Sequence, residues 1–434
     1  MKFRYILLAL LLPVFVFNSC KRETDRIFEE NATVRVNEAI RETYEVLQSN
    51  KGGWMMKFYP SDNQEFGGYT IFTKFLSNAQ VSIASDPIAG VQTSSYSVVQ
   101  ESGPVLTFDG YNKSIHWFSE PGMDNGGIGA DDTGMKGDFE FIVLKATADS
   151  VVLKGKKSGS RILMQPLEEG QFESLSSEYQ DAANSFIEFG VFKLEDASGE
   201  IHPLVYDSKM RVFQNTKENS GELLSFRVVP GGLEFFKTYV IDGVSFDNLA
   251  FREPTDDYPY GYYTDNANTF KIMPDVTPLN TWFMSNLWGM RYSGLGAEGQ
   301  SWWDAGRTRF TNNNYTLNYV YLGHVTQGRR GFYVDLTVGG QNSTAYFIYN
   351  MTPVPGTVDE VTLSFGGSYY SSAAFQLTYW NNAIIYLVQM LNSKTFKITS
   401  DVLEKPSKIL LTDKADPDNT IVLELEDFSN PLVN

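Results

Sequence analysis

Residues 102–122 are the sequence feature that most constrains the fold of this chain. Apolar and polar residues alternate on both sides of Gly110-Tyr111-Asn112-Lys113, a segment whose composition favours a turn. A four-residue turn there predicts a β-hairpin in which Phe108 lies opposite Ile115. One face of that hairpin is strongly apolar, as in an antiparallel sheet that covers a core on one side.

The periodicity of the remaining chain predicts helices at two places and short strands elsewhere. Apolar residues recur at intervals of three and four over residues 31–48, and Gly52-Gly53 follows as a C-terminal helix signal. The period then changes to two, with turn signals about every ten residues. A second helix is predicted over residues 174–185, and a hairpin over residues 234–251 turns at Asp242-Gly243. We therefore predict a mainly β chain with two or three antiparallel barrel- or sandwich-like domains and a short N-terminal helix.

Composition shifts divide the chain into five predicted segments. They are residues 1–19, a signal peptide; 20–172, the N-terminal helix and a β domain; 173–252, a β extension or middle domain; 253–278, a linker or long loop; and 279–434, a C-terminal β domain. Three strand patterns within residues 139–164 recur in the same order within residues 396–423. Two related β domains would explain this internal repeat, and so would ordinary strand alternation.

The N-terminus has the pattern of a lipoprotein export signal. A short basic region precedes an apolar run that is too short to span a membrane, and the run ends at Ser19-Cys20. Cys20 is the only cysteine, so we expect it to carry acyl chains that attach the protein to the outer membrane, exposed at the cell surface or facing the periplasm. The formal charge of -17 argues against nucleic acid as a partner, and membrane contact is expected through the lipid anchor only.

Several ordered motifs carry a family resemblance. They are Gly52-Gly53-Trp54, Phe58-Tyr59-Pro60, Gly67-Gly68-Tyr69, Gly103-Pro104-Val105-Leu106-Thr107-Phe108, Tyr111-Asn112, His116-Trp117-Phe118, Gly137-Asp138-Phe139-Glu140-Phe141 and Leu153-Lys154-Gly155-Lys156. Through them the chain resembles the DUF4302 family of Bacteroidetes lipoproteins, strongly over residues 20–167 and weakly beyond. The resemblance implies an accessory lipoprotein that accompanies a SusC/SusD-like outer-membrane uptake system. It implies no catalytic residue, because the molecular function of the family is unassigned.

The sequence contains no catalytic motif that we can identify. Its three histidines form no HExxH pattern, and no GxSxG segment occurs. We therefore expect a protein that is not an enzyme and needs no cofactor. A glycan or peptide hydrolase with a carboxylate-based site is one alternative, and a structural or adhesive surface protein is another. Calcium stays open, because a glycine-rich loop brings acidic residues together, although a solvated loop between strands explains them more simply. The calcium candidates are Asp124, Asp131, Asp132 and Asp138.

Aromatic residues concentrate between residues 258 and 303 in sequence that has the composition of loops. Ring faces with polar neighbours suit flat sugar rings or peptide side chains, so this tract predicts a ligand-facing surface. Burial of the same rings in a core is the alternative. The candidate ligand-binding residues are Tyr260, Trp282, Trp288, Arg291, Trp302 and Trp303. We accordingly predict a binding component of a nutrient-uptake system, with a glycan or a peptide as its ligand.

Overall fold

A computed structural model describes residues 32–124, 126–207, 210–215, 222–326, 329–371 and 385–425. These residues form three antiparallel β units along the chain: one curled nine-stranded sheet and two closed eight-stranded barrels. The predicted mainly β class with an N-terminal helix is therefore confirmed. Among the described helices, none combines the length and the hydropathy that a membrane span requires. Cys20 lies outside the described residues.

Helix α1, Ala32–Ser49, ends at the predicted glycine signal and is tied to the first strand. Gly53 has a φ of +84°, a conformation that glycine adopts readily, and its N–H donates to the carbonyl oxygen of Asn50 at 3.2 Å. The indole Nε1 of Trp54 donates to the carbonyl oxygen of Leu47 at 2.9 Å. Both Leu47 and Trp54 are fully buried, so the last turn of the helix forms part of the first core.

The first unit is a single sheet that curls around α1. Its strands are β1 Trp54–Phe58, β2 Tyr69–Phe75, β3 Gln80–Ser85, β4 Ile88–Ser95, β5 Ser97–Gln100, β6 Pro104–Thr107, β7 Glu140–Thr147, β8 Ser150–Gly155 and β9 Arg161–Pro166. The spatial order is β4-β3-β2-β1-β9-β8-β7-β6-β5. Strand β9, the last of the unit in the chain, therefore pairs with β1, the first. Helix α1 lies against β5, β6 and β7, where the Tyr44 hydroxyl accepts the N–H of Val98 at 2.8 Å.

The hairpin predicted within residues 102–122 is wrong in its second half. Strand β6 pairs with β5 and β7, which places Leu106 opposite Phe141. The residues expected to form the returning strand instead form a short helix, α2 Lys113–His116, and a 3-10 turn, Trp117–Ser119.

The helical turn has a clear physical reason. The side chain of Asn112 accepts the N–H of Ser114 at 3.1 Å and so caps the turn at its N-terminus. Ile115 and Phe118 are three residues apart, which places them on one side of a helical turn, and both are fully buried. A strand would have sent these two side chains to opposite faces of the sheet.

The second unit begins with helix α3, Gln171–Ile187, and continues as a closed barrel. Its strands are β10 Phe192–Glu195, β11 Ile201–Tyr206, β12 Val212–Asn215, β13 Leu223–Val229, β14 Gly232–Ile241, β15 Val244–Arg252, β16 Tyr262–Thr264 and β17 Lys271–Pro274. The side chain of Phe186, near the end of α3, is buried in the barrel core among the rings of Phe192, Phe213 and Phe226. The helix and the hairpin that were predicted for residues 174–185 and 234–251 are both confirmed.

The prediction of a linker or long loop over residues 253–278 is wrong, because this tract supplies the two strands that close the barrel. Strand β16 pairs with β15, and β17 pairs with both β16 and β10. The strands are only three and four residues long, and they lie among proline, aspartate and asparagine residues. Their alternation is too short to stand out against a composition that is typical of loops.

The third unit is a second closed barrel with helices packed on it. Its strands are β18 Leu287–Leu295, β19 Tyr315–Thr326, β20 Arg329–Val338, β21 Gln341–Pro353, β22 Glu360–Ser371, β23 Lys394–Thr399, β24 Lys408–Asp413 and β25 Thr420–Glu424, and its helices are α4 Leu279–Ser285, α5 Ala297–Asn312 and α6 Ile385–Gln389.

The strand patterns that recur in the sequence correspond to β7–β9 in the first unit and to β23–β25 in the third. Each set ends with a strand that pairs with the first strand of its own unit, β1 or β18. Common origin and ordinary alternation both remain compatible with this arrangement.

A buried arginine joins the first unit to the second. Arg227 on β13 is fully buried and donates from Nη1 to the hydroxyl of Thr70 on β2 at 2.6 Å. Its Nη2 donates to Glu234 at 2.7 Å, and Glu234 is also 2.7 Å from Nζ of Lys57 on β1. Because removal of one member of a buried ion pair leaves the other without its partner, this network constrains how the two units pack.

Candidate ligand-binding surface

Two of the predicted ligand-binding residues, Trp288 and Trp303, belong to the core of the third unit. Their exposed fractions are 0% and 2%, and the indole Nε1 of Trp288 donates to the carbonyl oxygen of Phe283 at 2.9 Å. Their prediction as ligand contacts is therefore wrong. Residues 297–312 form a helix rather than a loop, and the spacing from Gly299 through Trp303 to Phe310 turns one face of it toward the barrel.

Three other predicted residues are half-buried, each with a local partner. The indole Nε1 of Trp282 donates to the carbonyl oxygen of Pro406 at 3.0 Å, and that of Trp302 donates to Glu298 at 3.2 Å. The ring of Tyr260 lies edge-on to Phe189, and burial, together with the nearby Asp359 carboxylate, raises the pKa of Tyr260 to about 12. Among the described residues, no ring contact joins the predicted aromatic residues into one surface.

An aromatic surface does exist on the third unit, on strands where the sequence analysis did not place one. Tyr319, Tyr321, Tyr333 and Tyr346, here called the tyrosine row, lie half-buried on the outer face of β19, β20 and β21. Tyr321 is directly opposite Tyr333, and Tyr333 is directly opposite Tyr346. The ring centroids of these pairs are 5.5 and 4.9 Å apart. The register continues to Tyr370 on β22.

Polar side chains lie beside the tyrosine row. The amide Nδ2 of Asn318 donates to Asp335 at 2.7 Å and to the hydroxyl of Thr337 at 3.0 Å. Burial raises the pKa of Tyr333 to about 12, and the Asp335 carboxylate and the neighbouring tyrosines act in the same direction. The Tyr333 phenol is therefore neutral near pH 7 and retains a hydrogen-bond donor.

The tyrosine row ends at a small polar recess. Gly289 on β18 lies opposite Tyr321 on one side and opposite Glu424 on the other, so the row is followed by a position without a side chain. The recess has a volume of about 140 Å³. It is lined by Gly289, Arg291, Ser293, Gly294, Lys408, Val422 and Glu424. Arg291 is the one predicted ligand-binding residue that lies here, with Nε at 3.6 Å from Glu424.

The tyrosine row does not stand out as a cluster of rings in the sequence, because its four tyrosines are distributed over three strands. The signal that would have found the row is alternation within strands. In Tyr319-Val320-Tyr321-Leu322 the aliphatic residues point into the barrel, so the tyrosines must point outward. The same reasoning applies to Tyr333-Val334 and to Tyr346-Phe347.

The four calcium candidates do not form a common site in the structure. Asp138 is buried, and its carboxylate accepts the N–H groups of Lys157 and Ser158 at 2.7 and 2.9 Å. It thereby holds the turn between β8 and β9. The other three candidates, Asp124, Asp131 and Asp132, are exposed. Calcium binding stays an untested prediction.

One group of acidic and histidine side chains in the described residues has the spacing of metal ligands. It consists of Asp196, Glu200 and His202, whose ligand atoms lie within 4.8 Å of one another. Hydrogen bonds account for this arrangement: Asp196 accepts the N–H groups of Ser198 and Glu200, each at 2.9 Å, and lies 2.8 Å from Nε2 of His202. The sequence alone does not connect these residues, because only the β10–β11 hairpin brings His202 back to Asp196.

The match to a family model decides the relationship of this chain to known proteins. The model described as a domain of unknown function (DUF4302) matches residues 24–253, which is more than half of the sequence. The chain belongs to the DUF4302 family. The matched DUF4302 region covers the first unit and most of the second, but it stops before β16 and β17. The tyrosine row lies beyond it, on the third unit.

Other comparisons add little to the DUF4302 assignment. No curated protein matches the chain. Among solved structures, the isotype 1 transferrin binding protein B from serogroup B Neisseria meningitidis is 8% identical, with a TM-score of 0.14. That comparison covers 86% of this chain and 74% of the other. So low a score supports no argument about fold or function.

Proposed function

We propose that this protein is an exported, lipid-anchored binding protein that holds a neutral glycan on the tyrosine row. The row carries the proposal, because it combines contiguous aromatic rings with hydrogen-bonding groups on the outside of a closed barrel. We further propose that Cys20 carries the lipid anchor at the outer membrane and that the protein serves as an accessory component of a SusC/SusD-like uptake system. The export signal and the family resemblance support this second part.

The spacing of the tyrosine row suits a chain of sugar rings. Neighbouring strands lie about 4.8 Å apart, so positions on β19, β20 and β21 repeat at about the length of one pyranose ring. Aromatic side chains offer apolar area at low entropic cost, and their hydroxyls bind the polar edges of a sugar. The proposed glycan therefore crosses the strands, with successive rings against Tyr321, Tyr333 and Tyr346.

The charge of the protein favours a neutral glycan over an anionic one. The whole chain has a formal charge of -17, which repels uronic-acid polymers as it repels nucleic acid. At the end of the row, Arg291 and Lys408 flank Glu424 in the recess and supply both donors and an acceptor. Sugar hydroxyls, which donate and accept, match such a mixed set.

Replacement of both Tyr321 and Tyr333 by alanine tests the glycan proposal. Xylan, galactomannan, starch and levan would be screened against the wild-type protein by affinity electrophoresis and then by calorimetry. Each lost ring contact is worth about 1 kcal/mol, so the double variant is expected to bind about tenfold or more weakly. Tyr111→Ala is the matched control, because Tyr111 is a 68% exposed tyrosine on the first unit; this variant should bind like wild type.

Three outcomes would contradict the proposal. They are a wild-type protein that binds none of the glycans, a double variant that retains full affinity, and cleavage of the bound glycan during the assay. Cleavage would favour the hydrolase alternative.

Replacement of Cys20 by alanine tests the anchor separately. Without the acylated cysteine, the mature protein has no attachment site, so it is expected to move from washed outer membranes to soluble fractions. Immunoblotting of the fractions measures this distribution, with wild type as control. Retention of the variant in the membranes would show that another element holds the protein there.

A further inference from the structure

An open cleft lies on the third unit between helix α5 and the start of β19, here called the α5 cleft. It is lined by side chains from residues 303–317, and it shares no residue with the tyrosine row. Its volume of about 450 Å³ is within the range of about 300–1,000 Å³ that is typical of small-molecule sites.

One side of the α5 cleft is apolar. Tyr315 and Leu317 line it, and both are half-buried, so part of their surface stays accessible. Trp303 and Phe310 line it from the core of the third unit, with exposed fractions of 2% and 3%. The accessible apolar surface therefore lies over packed core side chains, an arrangement that suits the apolar part of a ligand.

The other side of the α5 cleft carries polar side chains without partners in the part of the chain that the structure describes. Asn314 and Thr316 are exposed, and their side chains make no hydrogen bond to a described residue. Arg307 is exposed as well, and no described carboxylate lies within ion-pair distance of its guanidinium. Asp304, one turn earlier on α5, instead accepts the hydroxyl of Tyr292 at 3.2 Å.

An unpaired cation distinguishes the α5 cleft from other recesses of this protein. In the recess at the end of the tyrosine row, Glu424 lies between Arg291 and Lys408. In a cleft beside the second barrel, Lys193 pairs with Asp275 at 2.9 Å. The described lining of the α5 cleft has one cation and no acidic residue. The α5 cleft therefore favours an anion, whereas the cations of the other two recesses already have carboxylate partners.

A single guanidinium selects a ligand with one negative charge. A carboxylate can accept two parallel hydrogen bonds from the guanidinium of Arg307. A phosphate group carries nearly two charges, and the described lining has only one cation to meet them. The formal charge of -17 on the whole chain opposes anions at long range. Because salt screens that field over about 8 Å, the nearest charge dominates for one carboxylate, although not for a polymer of uronic acids.

We propose that the α5 cleft binds a small monocarboxylate with an apolar body. Its carboxylate contacts Arg307, and its body packs against Tyr315 and Leu317. A free aromatic acid and the C-terminal residue of a short peptide both have this chemistry. The α5 cleft lies outside the residues that the family model matches, and this proposal does not depend on glycan binding by the tyrosine row.

Arg307→Gln tests the charge, because glutamine retains hydrogen-bond donors but is not a cation. The variant is expected to bind the carboxylate about tenfold more weakly, since a charge-assisted hydrogen bond is lost. Arg309→Gln is the matched control. Arg309 is an exposed arginine on the same helix but outside the cleft lining, with its guanidinium 5.3 Å from the ring centroid of Tyr386. This control variant should bind like wild type.

Thr311→Trp tests the location, because an indole at this position is expected to fill the α5 cleft. Thr311 is exposed, and its hydroxyl donates to the carbonyl oxygen of Arg307 at 3.0 Å. Thr308→Trp is the matched control. Thr308 is also exposed and donates to the carbonyl oxygen of Asp304 at 2.9 Å, but it lies outside the cleft lining. We expect no binding to Thr311→Trp and normal binding to Thr308→Trp.

The probes are phenylpropionate, its neutral amide, acetate, and acetyl-glycyl-phenylalanine with a free or an amidated C-terminus. Saturation-transfer NMR and calorimetry measure binding to the full mature protein, and thermal unfolding verifies that each variant is folded. We expect phenylpropionate or the free-acid peptide to bind wild type, and which of them binds identifies the source of the carboxylate. The amides and acetate should bind at least about tenfold more weakly. The Tyr321→Ala/Tyr333→Ala variant should bind the acid normally, while Arg307→Gln should bind glycan polymers normally.

The proposal is overturned if neither acid binds the folded wild-type protein, if the amides bind as tightly as the acids, or if acetate binds as tightly as phenylpropionate. It is also overturned if Thr311→Trp retains the affinity of wild type, or if Arg307→Gln weakens binding no more than Arg309→Gln does. Loss of acid binding in the double tyrosine variant would place the acid on the tyrosine row instead. None of these outcomes contradicts the proposed function, which depends on polymer binding by that row.

Discussion

At the scale of single residues, Asp265 illustrates how one carboxylate organises a turn. It follows β16 and accepts the N–H groups of Ala267 and Thr269 at 3.0 and 2.6 Å. The hydroxyl of Thr269 donates to it at 3.1 Å. Burial opposes the charged form, but these hydrogen bonds outweigh burial and lower the pKa of Asp265 below its ordinary 3.8.

The lowered pKa of Asp265 predicts a pH-dependent contribution to stability. A group with a lowered pKa in the folded state stabilises the protein above its unfolded pKa and loses that contribution as pH falls through the folded value. Asp265→Ala is therefore expected to lower the free energy of unfolding by about 2 kcal/mol near neutral pH and by less at about pH 2.5. Urea unfolding at both pH values measures the difference.

Asp265→Asn serves as the comparison for that measurement, because it retains an acceptor oxygen but cannot ionise. Its effect should be smaller than that of the alanine variant. An alanine effect that is equally large at both pH values would show that charge plays no part in this turn.

At the scale of an element, the β14–β15 hairpin shows why its turn could be predicted from two residues. Asp242 and Gly243 have φ values of +51° and +75°, as a two-residue type I′ turn requires. Ile241 and Val244 pair directly on either side of them. The backbone twist of this turn matches that of the strands, so the register follows from local chemistry.

Gly243→Ala is expected to destabilise the protein by about 1 kcal/mol, because a residue with a Cβ is strained at positive φ. No atom lies within 4 Å of a Cβ added at Gly243, so steric contact does not contribute. Gly103→Ala is the matched control: its added Cβ also meets nothing within 4 Å, and its φ is not positive. Chemical denaturation compares the two variants, and equal effects would show that positive φ is not the cause.

At the scale of the whole molecule, buried polar contacts join the first two units. The first two share a buried polar seam, in which Arg227 joins β13 to β2 and Arg211 pairs with Asp86. The family match covers both of these units, but it ends at residue 253, before the second barrel is closed. The structural boundary therefore falls after β17, because β17 pairs with both β10 and β16.

Two fragments test this boundary. A fragment of residues 21–278 is expected to be soluble and to unfold cooperatively. A fragment of residues 21–253 lacks β16 and β17, so it exposes the edges of β10 and β15 and loses the buried Phe270 and Ile272. We expect it to aggregate or to melt at a lower temperature, as measured by circular dichroism and light scattering. Equal melting temperatures would place the boundary at residue 253.

Local sequence alone determined helices α1 and α3, most strands of the first unit and the β14–β15 hairpin, because each depends on periodicity or on turn chemistry over a few residues. The Gly53 helix terminus and the Asp242-Gly243 turn are of this kind. The mainly β class follows from the same local signals, since many short alternating segments leave an antiparallel sheet as the way to pair their backbones.

Only the tertiary structure decided which apolar residues face a core and which face solvent. Ile115 and Phe118 enter the core from a helical turn, Trp303 enters from α5, and β16 and β17 close a barrel although their composition is that of a loop. The tyrosine row arises in the same way, because residues distant in sequence become neighbours only through strand register. Local propensity differs by about 1 kcal/mol or less per residue, whereas burial of one large side chain contributes about 1.5–3 kcal/mol, so packing prevails wherever the two conflict.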